Sequence, residues 1–106
     1  MPTAVDGLAA LDAWFARQGW TPAPFQRRAW AAFRDGRSGL IHSPTGSGKS
    51  LAAWLGPVSR ALDRGDKGGG LRVLWITPLR ALAEDTAGNL RQALEGVGLD
   101  WGVETR

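Results

Sequence analysis

Residues 43–50 read Ser43-Pro44-Thr45-Gly46-Ser47-Gly48-Lys49-Ser50, or SPTGSGKS. The stretch follows the G-x-x-x-x-G-K-[ST] pattern of a triphosphate-binding loop, except that Ser43 stands where the first glycine (or alanine) is usual. A triphosphate is strongly hydrated, so a protein must replace that solvation from several directions. Backbone N–H groups curled into a nest do this, and the N-terminus of the following helix adds partial positive charge. Such close approach needs residues without bulk, which is the use of Gly46 and Gly48. Thr45, Gly46, Ser47 and Gly48 are therefore the candidate cradle. Lys49 is the candidate catalytic cation for the β- and γ-phosphates, and the Ser50 hydroxyl the candidate ligand for Mg²⁺. Lys49 is one of two lysines among 13 basic residues, and a compact ammonium suits that position better than a planar guanidinium. The competing possibility is a flexible Gly-rich turn.

The flanks supply the context that the motif demands. Before it, Leu40-Ile41-His42 is a short apolar run, expected to be a buried strand in which His42 packs. After it the pattern is helical from Lys49 to about Leu62, with a kink expected at Gly56-Pro57. Asp63 to Gly70 reads as a surface loop. Leu71–Ile76 (LRVLWI) is the clearest strand, and Thr77-Pro78 stops it. Leu79, Leu82, Ala83, Thr86, Leu90 and Leu94 then mark a long amphipathic helix. The tail from Leu99 to Thr105 is expected to start a third strand. Upstream, Leu8, Leu11, Trp14 and Phe15 recur at helical spacing between a capping Asp6 and a stop at Gly19. After the prolines at 22 and 24, a second helix is expected to turn Phe25, Ala29, Ala32 and Phe33 inward and to end at Asp35-Gly36. The alternation from residue 40 onward predicts an α/β fold, a parallel sheet with right-handed crossovers and flanking helices. Ligands of such sheets bind at the carboxyl ends of the strands, which places SPTGSGKS and Thr77–Arg80 on one functional edge.

Composition narrows the classes. One chain of 106 residues, 43% hydrophobic and 22% charged, suits one modest globular domain. The pI of 10.6 follows from a net charge of +3 in a chain with no Cys, no Tyr and one His, so it permits nucleic-acid binding without arguing for it. The absence of cysteine excludes disulfides and thiolate chemistry. No apolar run approaches the roughly 18 residues of a membrane span, and no signal peptide is evident, so no membrane association and a cytoplasmic location are expected. Of the six tryptophans, Trp14, Trp30, Trp54 and Trp75 recur at core spacing.

Three motifs in order carry a resemblance. PTGSGKS (44–50) resembles motif I of superfamily 2 helicases, and WITPLRALAEDT (75–86) their motif Ia. GWTPAPFQRRAW (19–30) resembles the Gln-containing element upstream of motif I in DEAD- and DEXH-box proteins. With SGLIHSPTGSGKSLAAWLGP (38–57), the string looks most like the Lhr-type branch, the ligase-associated DEXH-box helicases in particular. The resemblance implies a RecA-like P-loop NTPase fold, ATP and Mg²⁺ as cofactors, and nucleic acid, DNA rather than RNA, as partner. It implies that Gln26 recognises adenine, where the residues alone suggest a surface glutamine. A side-chain amide offers the donor and acceptor that the adenine edge requires. Trp20 or Phe25 could stack on base or sugar, with burial against the sheet the reading for Phe25. Thr77, Pro78, Leu79 and Arg80 match the motif that contacts the nucleic-acid backbone; otherwise Arg80 is a solvated residue at a strand-to-helix turn.

One component is missing. A P-loop ATPase needs an acidic pair after an apolar strand, and no carboxylate of this chain stands there. The expectation is thus a truncated first RecA-like domain. Residues 1–36 form its helical, adenine-recognising segment and 37–106 the first, incomplete part of its ATP-binding domain. It would belong to a helicase or translocase, acting in DNA repair by its branch, and be inactive alone. The rivals are a P-loop enzyme of another class, such as a nucleotide kinase, and a non-catalytic nucleotide-binding module.

Overall fold

The computed structural model describes residues 6–42, 48–65, 70–76 and 80–104. They hold four helices, α1 (Gly7–Gln18), α2 (Pro24–Arg34), α3 (Lys49–Arg64) and α4 (Arg80–Val97). Two compact units, residues 1–66 and 67–106, each have their own contacts.

In the first unit the helix ends are set by local chemistry. The Asp6 carboxylate accepts from Ala9 N–H at 3.2 Å at the start of α1. At its end Gly19 turns left-handed, at φ 78°. Gly19 N–H then reaches the Ala16 carbonyl and Trp20 N–H the Phe15 carbonyl. The Trp20 ring packs edge-on against Phe15 at 5.8 Å, the apolar contact that accompanies such a stop. Pro24 opens α2, where its missing N–H is not needed, and Asp35-Gly36 closes it as expected, with Gly36 at φ 79°. Helix α3 starts at Lys49 as expected, runs through Pro57 and ends at Arg64, two residues beyond the expected stop.

Helices α1 and α2 both pack on α3, around Leu11, Trp14, Phe15, Trp30, Leu55, Val58 and Leu62. Phe15 meets Trp14 and Trp30 edge-on, each at 5.6 Å, the geometry that ring quadrupoles favour. Trp14, Trp30 and Trp54 are buried as expected, whereas Trp75 is half-buried. The inward face of α2 differs from expectation. Gln26 and Trp30 are its buried residues, Phe25, Ala29 and Ala32 are half-buried, and Phe33 is 40% exposed. The face is turned by about one residue, or ~100°, because a glutamine with satisfied hydrogen bonds can be buried where polarity alone would put it outside.

The expected α/β sheet is not observed. Among the described residues there is no strand and no ladder, and the architecture is all-helical. Leu40–His42 and Leu71–Ile76 lie outside any regular element, and the portion of the 99–105 tail within the described residues does too. Leu71, Leu74 and Ile76 are between 73% and 84% exposed, and Leu40 is 90% exposed; His42, expected to pack, is exposed. The physical reason is that a buried parallel strand requires ladder partners for its N–H and C=O groups and helices over both faces. Five apolar residues in a run of six cannot supply those, and two strands alone are marginal.

In the second unit α4 buries Ala87, Leu90, Ala93 and Leu94, closed by Leu99. Gly98, at φ 79°, ends the helix, and Leu99 N–H returns to the Leu94 carbonyl at 3.0 Å. The Arg91 guanidinium donates to the Val103 carbonyl at 2.8 Å. The expected periodic residues Leu79, Leu82 and Ala83 lie outside the described side chains. Among the described residues no helix is long and apolar enough to cross a membrane.

Candidate functional site

The site is built where α2 meets the first turn of α3. Gly48 precedes Lys49 at φ 89°, a left-handed conformation that costs other residues roughly 1–2 kcal/mol. Space imposes the same choice, because a Cβ on Gly48 would lie 2.9 Å from Gln26 Nε2 and 3.5 Å from Phe25 Cζ. Its carbonyl accepts from Ala52 N–H at 2.9 Å, the first bond of the helix. The N–H groups of Lys49 and Ser50 belong to the first turn, where helices have donors to spare. Lys49 is half-buried and Ser50 exposed.

Gln26 is 5% exposed, and both ends of its amide are engaged. Oε1 accepts from Ala23 N–H at 2.8 Å, and Nε2 donates to the Gly48 carbonyl at 3.0 Å. The first bond serves the start of α2; the second ties α2 to the residue before Lys49. A side-chain amide has two donors and two acceptor lone pairs, so one of each remains. Gln26 is thus a buried link between two helix N-termini and not a surface residue.

The structure brings Gln26, Phe25, Gly48, Lys49 and Ser50 into one neighbourhood. Trp20 is 49% exposed, with its ring edge-on to Trp14 at 5.6 Å and to Phe15. Thr45, Gly46 and Ser47 lie outside the described residues, as do Thr77, Pro78, Leu79 and the Arg80 side chain; Arg80 itself is the first residue of α4.

Two roles were not expected from the sequence, the polar one of Trp30, otherwise expected in the core, and that of Asp63. Trp30, one turn after Gln26 on α2, donates its indole N–H to the Leu51 carbonyl at 3.1 Å. The i, i+4 spacing was the available signal. At the far end of α3, Asp63 joins all three helices. It accepts from Gly7 N–H at 2.7 Å and pairs with Arg34. Arg34 also donates to the Ser59 hydroxyl at 3.1 Å, and Arg60 donates to the Arg34 carbonyl at 2.9 Å. Burial by itself pushes the Asp63 carboxyl up. The Gly7 N–H and Arg34, with the charge of Arg60, more than reverse this and hold it below its ordinary value.

The neighbourhood fits a nucleotide's phosphates: a bulk-free residue before a helix N-terminus, then an ammonium and an exposed hydroxyl. Among the described residues no group of three or more His, Cys, Asp or Glu could hold a metal ion.

Comparison with known proteins agrees with the sequence motifs. The model of the DEAD/DEAH box helicase family matches residues 23–105. "Lhr helicase/ probable uracil glycosylase" of Mycolicibacterium smegmatis is 42% identical over 85 residues, covering 79% of this chain and 6% of that protein. "ATP-dependent helicase Lhr-Core protein 2" of Thermococcus barophilus is 38% identical over 87 residues, 79% of this chain and 10% of that one. "ATP-dependent RNA helicase DBP3" of Candida glabrata is 33% identical over 79 residues, 74% of this chain and 15% of that one. The chain therefore spans a tenth or less of the two Lhr-type relatives. No solved structure gives a significant match. A match across most of the chain, with Lhr-type proteins among its relatives, shows that it belongs to the DEAD/DEAH box helicase family.

Proposed function

We propose that this chain is the ATP-binding portion of an ATP-dependent nucleic-acid helicase or translocase. The observation that carries this most directly is the bond from Gln26 to the Gly48 carbonyl. It joins the residue expected to recognise adenine to the residue that opens the phosphate-binding helix. The two functions fall on either side of residue 36, adenine recognition before it and phosphate binding after it. The free donor and acceptor of Gln26 suit the adenine edge, and Trp20 or Phe25 offers a ring for base or sugar. Thr45, Gly46, Ser47 and Gly48 supply the cradle, Lys49 the charge on the β- and γ-phosphates, and Ser50 a ligand for Mg²⁺. Bound Mg²⁺ would neutralise phosphate charge; the protein's own part is to bind and orient the triphosphate.

Thr77, Pro78, Leu79 and Arg80 are assigned to the nucleic-acid backbone, where N–H groups at the start of a helix and one guanidinium can take a phosphate. DNA is the favoured track and DNA repair the favoured setting, from the resemblance of the motifs to the Lhr-type branch. The relative from Candida glabrata is named an RNA helicase, which makes RNA the competing outcome. A cytoplasmic location is part of the same proposal. No acidic pair follows an expected apolar strand, since Glu84-Asp85 lie within α4, so these 106 residues alone should bind ATP and hydrolyse little.

Calorimetric titration with ATP and GTP tests the assignment. Lys49→Ala should weaken ATP by at least about tenfold, the loss of a charge-assisted contact. Gln26→Ala should narrow the preference for ATP over GTP by about tenfold. An ATP affinity indifferent to Lys49, or turnover by these residues alone, would overturn it.

A further inference from the structure

Trp30 is the largest fully buried side chain among the described residues. A buried indole N–H needs an acceptor, and the one it has is unusual. The Leu51 carbonyl lies in the first turn of α3. Carbonyls there already accept from residues four positions on, so the indole is an additional donor and not the answer to an orphan acceptor. The bonds run in series. Trp30 Nε1–H donates to the Leu51 carbonyl, whose peptide carries Ala52 N–H. That N–H donates to the Gly48 carbonyl, whose peptide carries Lys49 N–H. Gln26, one turn before Trp30, donates to the same Gly48 carbonyl. Hydrogen bonds in series polarise one another, and this series ends on the first amide of the phosphate-binding helix. Phe15, edge-on to Trp30 at 5.6 Å, buttresses the ring.

We propose that Trp30 is a positioning residue of the phosphate site: its indole N–H fixes and polarises the first turn of α3, aiming the Lys49 and Ser50 amides at the nucleotide. This rests on the ATP-binding assignment above. It contacts no phosphate itself and acts through the backbone.

The test compares Trp30→Phe, which keeps an aromatic ring and removes the N–H, with Phe15→Leu, which disturbs the same packing and removes no donor. ATP affinity is measured by calorimetry, at a temperature where each variant is folded. The Lys49 amide resonance is followed by NMR. Trp30→Phe should weaken ATP by about threefold to tenfold, the worth of one neutral hydrogen bond, and shift the Lys49 amide upfield. Phe15→Leu should lower stability and leave both readouts in place. Unchanged ATP affinity in Trp30→Phe, or equal losses in both variants, overturns the inference. If Trp30→Phe does not fold, the unmodified chain decides. Its Trp30 indole proton must shift on adding ATP while that of Trp14 does not, and a silent Trp30 resonance counts against the inference. Lys49→Ala separates the two levels, because undiminished ATP binding there sinks the ATP-binding assignment instead.

Discussion

Replacing Gly7 by alanine should destabilise the first unit, although alanine is the better helix former by up to about 1 kcal/mol. Gly7 is the first residue of α1, set against the backbone of α3. A Cβ there would lie 2.6 Å from the Ser59 carbonyl carbon and 2.8 Å from its Cα, and closer still to the carbonyl oxygen. Ordinary contact begins at 3.4 Å, so α1 must retreat by at least about 0.8 Å from an interior packed at crystal density. The same retreat disturbs the bond from Gly7 N–H to Asp63, now 2.7 Å, which weakens steeply once lengthened or bent.

Overpacking costs about 1–3 kcal/mol and loss of a hydrogen bond to a charged group about 1.5–3. Less the helix-propensity gain, the net is about 2–5 kcal/mol, a large share of the stability of a small unit. Urea and thermal melts followed by circular dichroism measure it, at about 4–8 °C per kcal/mol for a unit of this size. Gly88→Ala in α4 is the matched control. A Cβ there meets nothing within 4 Å, so it should stabilise by up to about 1 kcal/mol. Were Gly7→Ala as stable as the parent, the close approach of α1 to α3 would be refuted.

Two further outcomes follow from the same unit. Because the Asp63 pKa is lowered from its ordinary 3.8 on folding, its contribution to stability is complete above that value and lost as pH falls through the lower folded pKa. Asp63→Asn should cost about 1–3 kcal/mol at neutral pH and flatten stability against pH below about 4, as read from urea midpoints across an acid series. Gly48→Ala should lower the melting temperature through roughly 1–2 kcal/mol of left-handed strain and weaken ATP, as titration of the folded variant would show.

Most helix ends of the first unit were legible in the sequence because they are fixed by a few local atoms, the end of α3 excepted. Asp6, Gly19, Asp35-Gly36 and the Lys49 start needed no knowledge of distant contacts. The second unit's amphipathic helix was legible for the same reason, through Leu90 and Leu94. The sheet was not, since LRVLWI carries strand propensity and period but not the ladder partners that make a strand. Gln26 was singled out as a candidate through its motif, while its burial was missed because polarity predicts a surface. The roles of Gly7 and Asp63 were out of reach. They depend on how closely α1 approaches Ser59, and Asp63 had been read as the start of a loop, although it occupies the last turn of α3.

Helix α3 is therefore held at both ends by different chemistry, and the ends should be separable. Its first turn is gripped by neutral donors from α2, Gln26 and Trp30, and its last by the charged network of Asp63, Arg34 and Gly7. Along the helix axis Lys49 and Asp63 are about 21 Å apart at 1.5 Å per residue, more than two Debye lengths at physiological salt. The Asp63 carboxylate thus has little direct electrostatic hold on a phosphate at Lys49. Its loss should change how much of the chain is folded, while the folded fraction binds ATP as before. Loss of the Trp30 N–H should do the reverse in emphasis, with modest change in folding and a weaker grip on phosphate. If Asp63→Asn weakened ATP binding by the folded protein as much as Trp30→Phe, α3 would have to move as one rigid lever, and the local account of the phosphate site would fail.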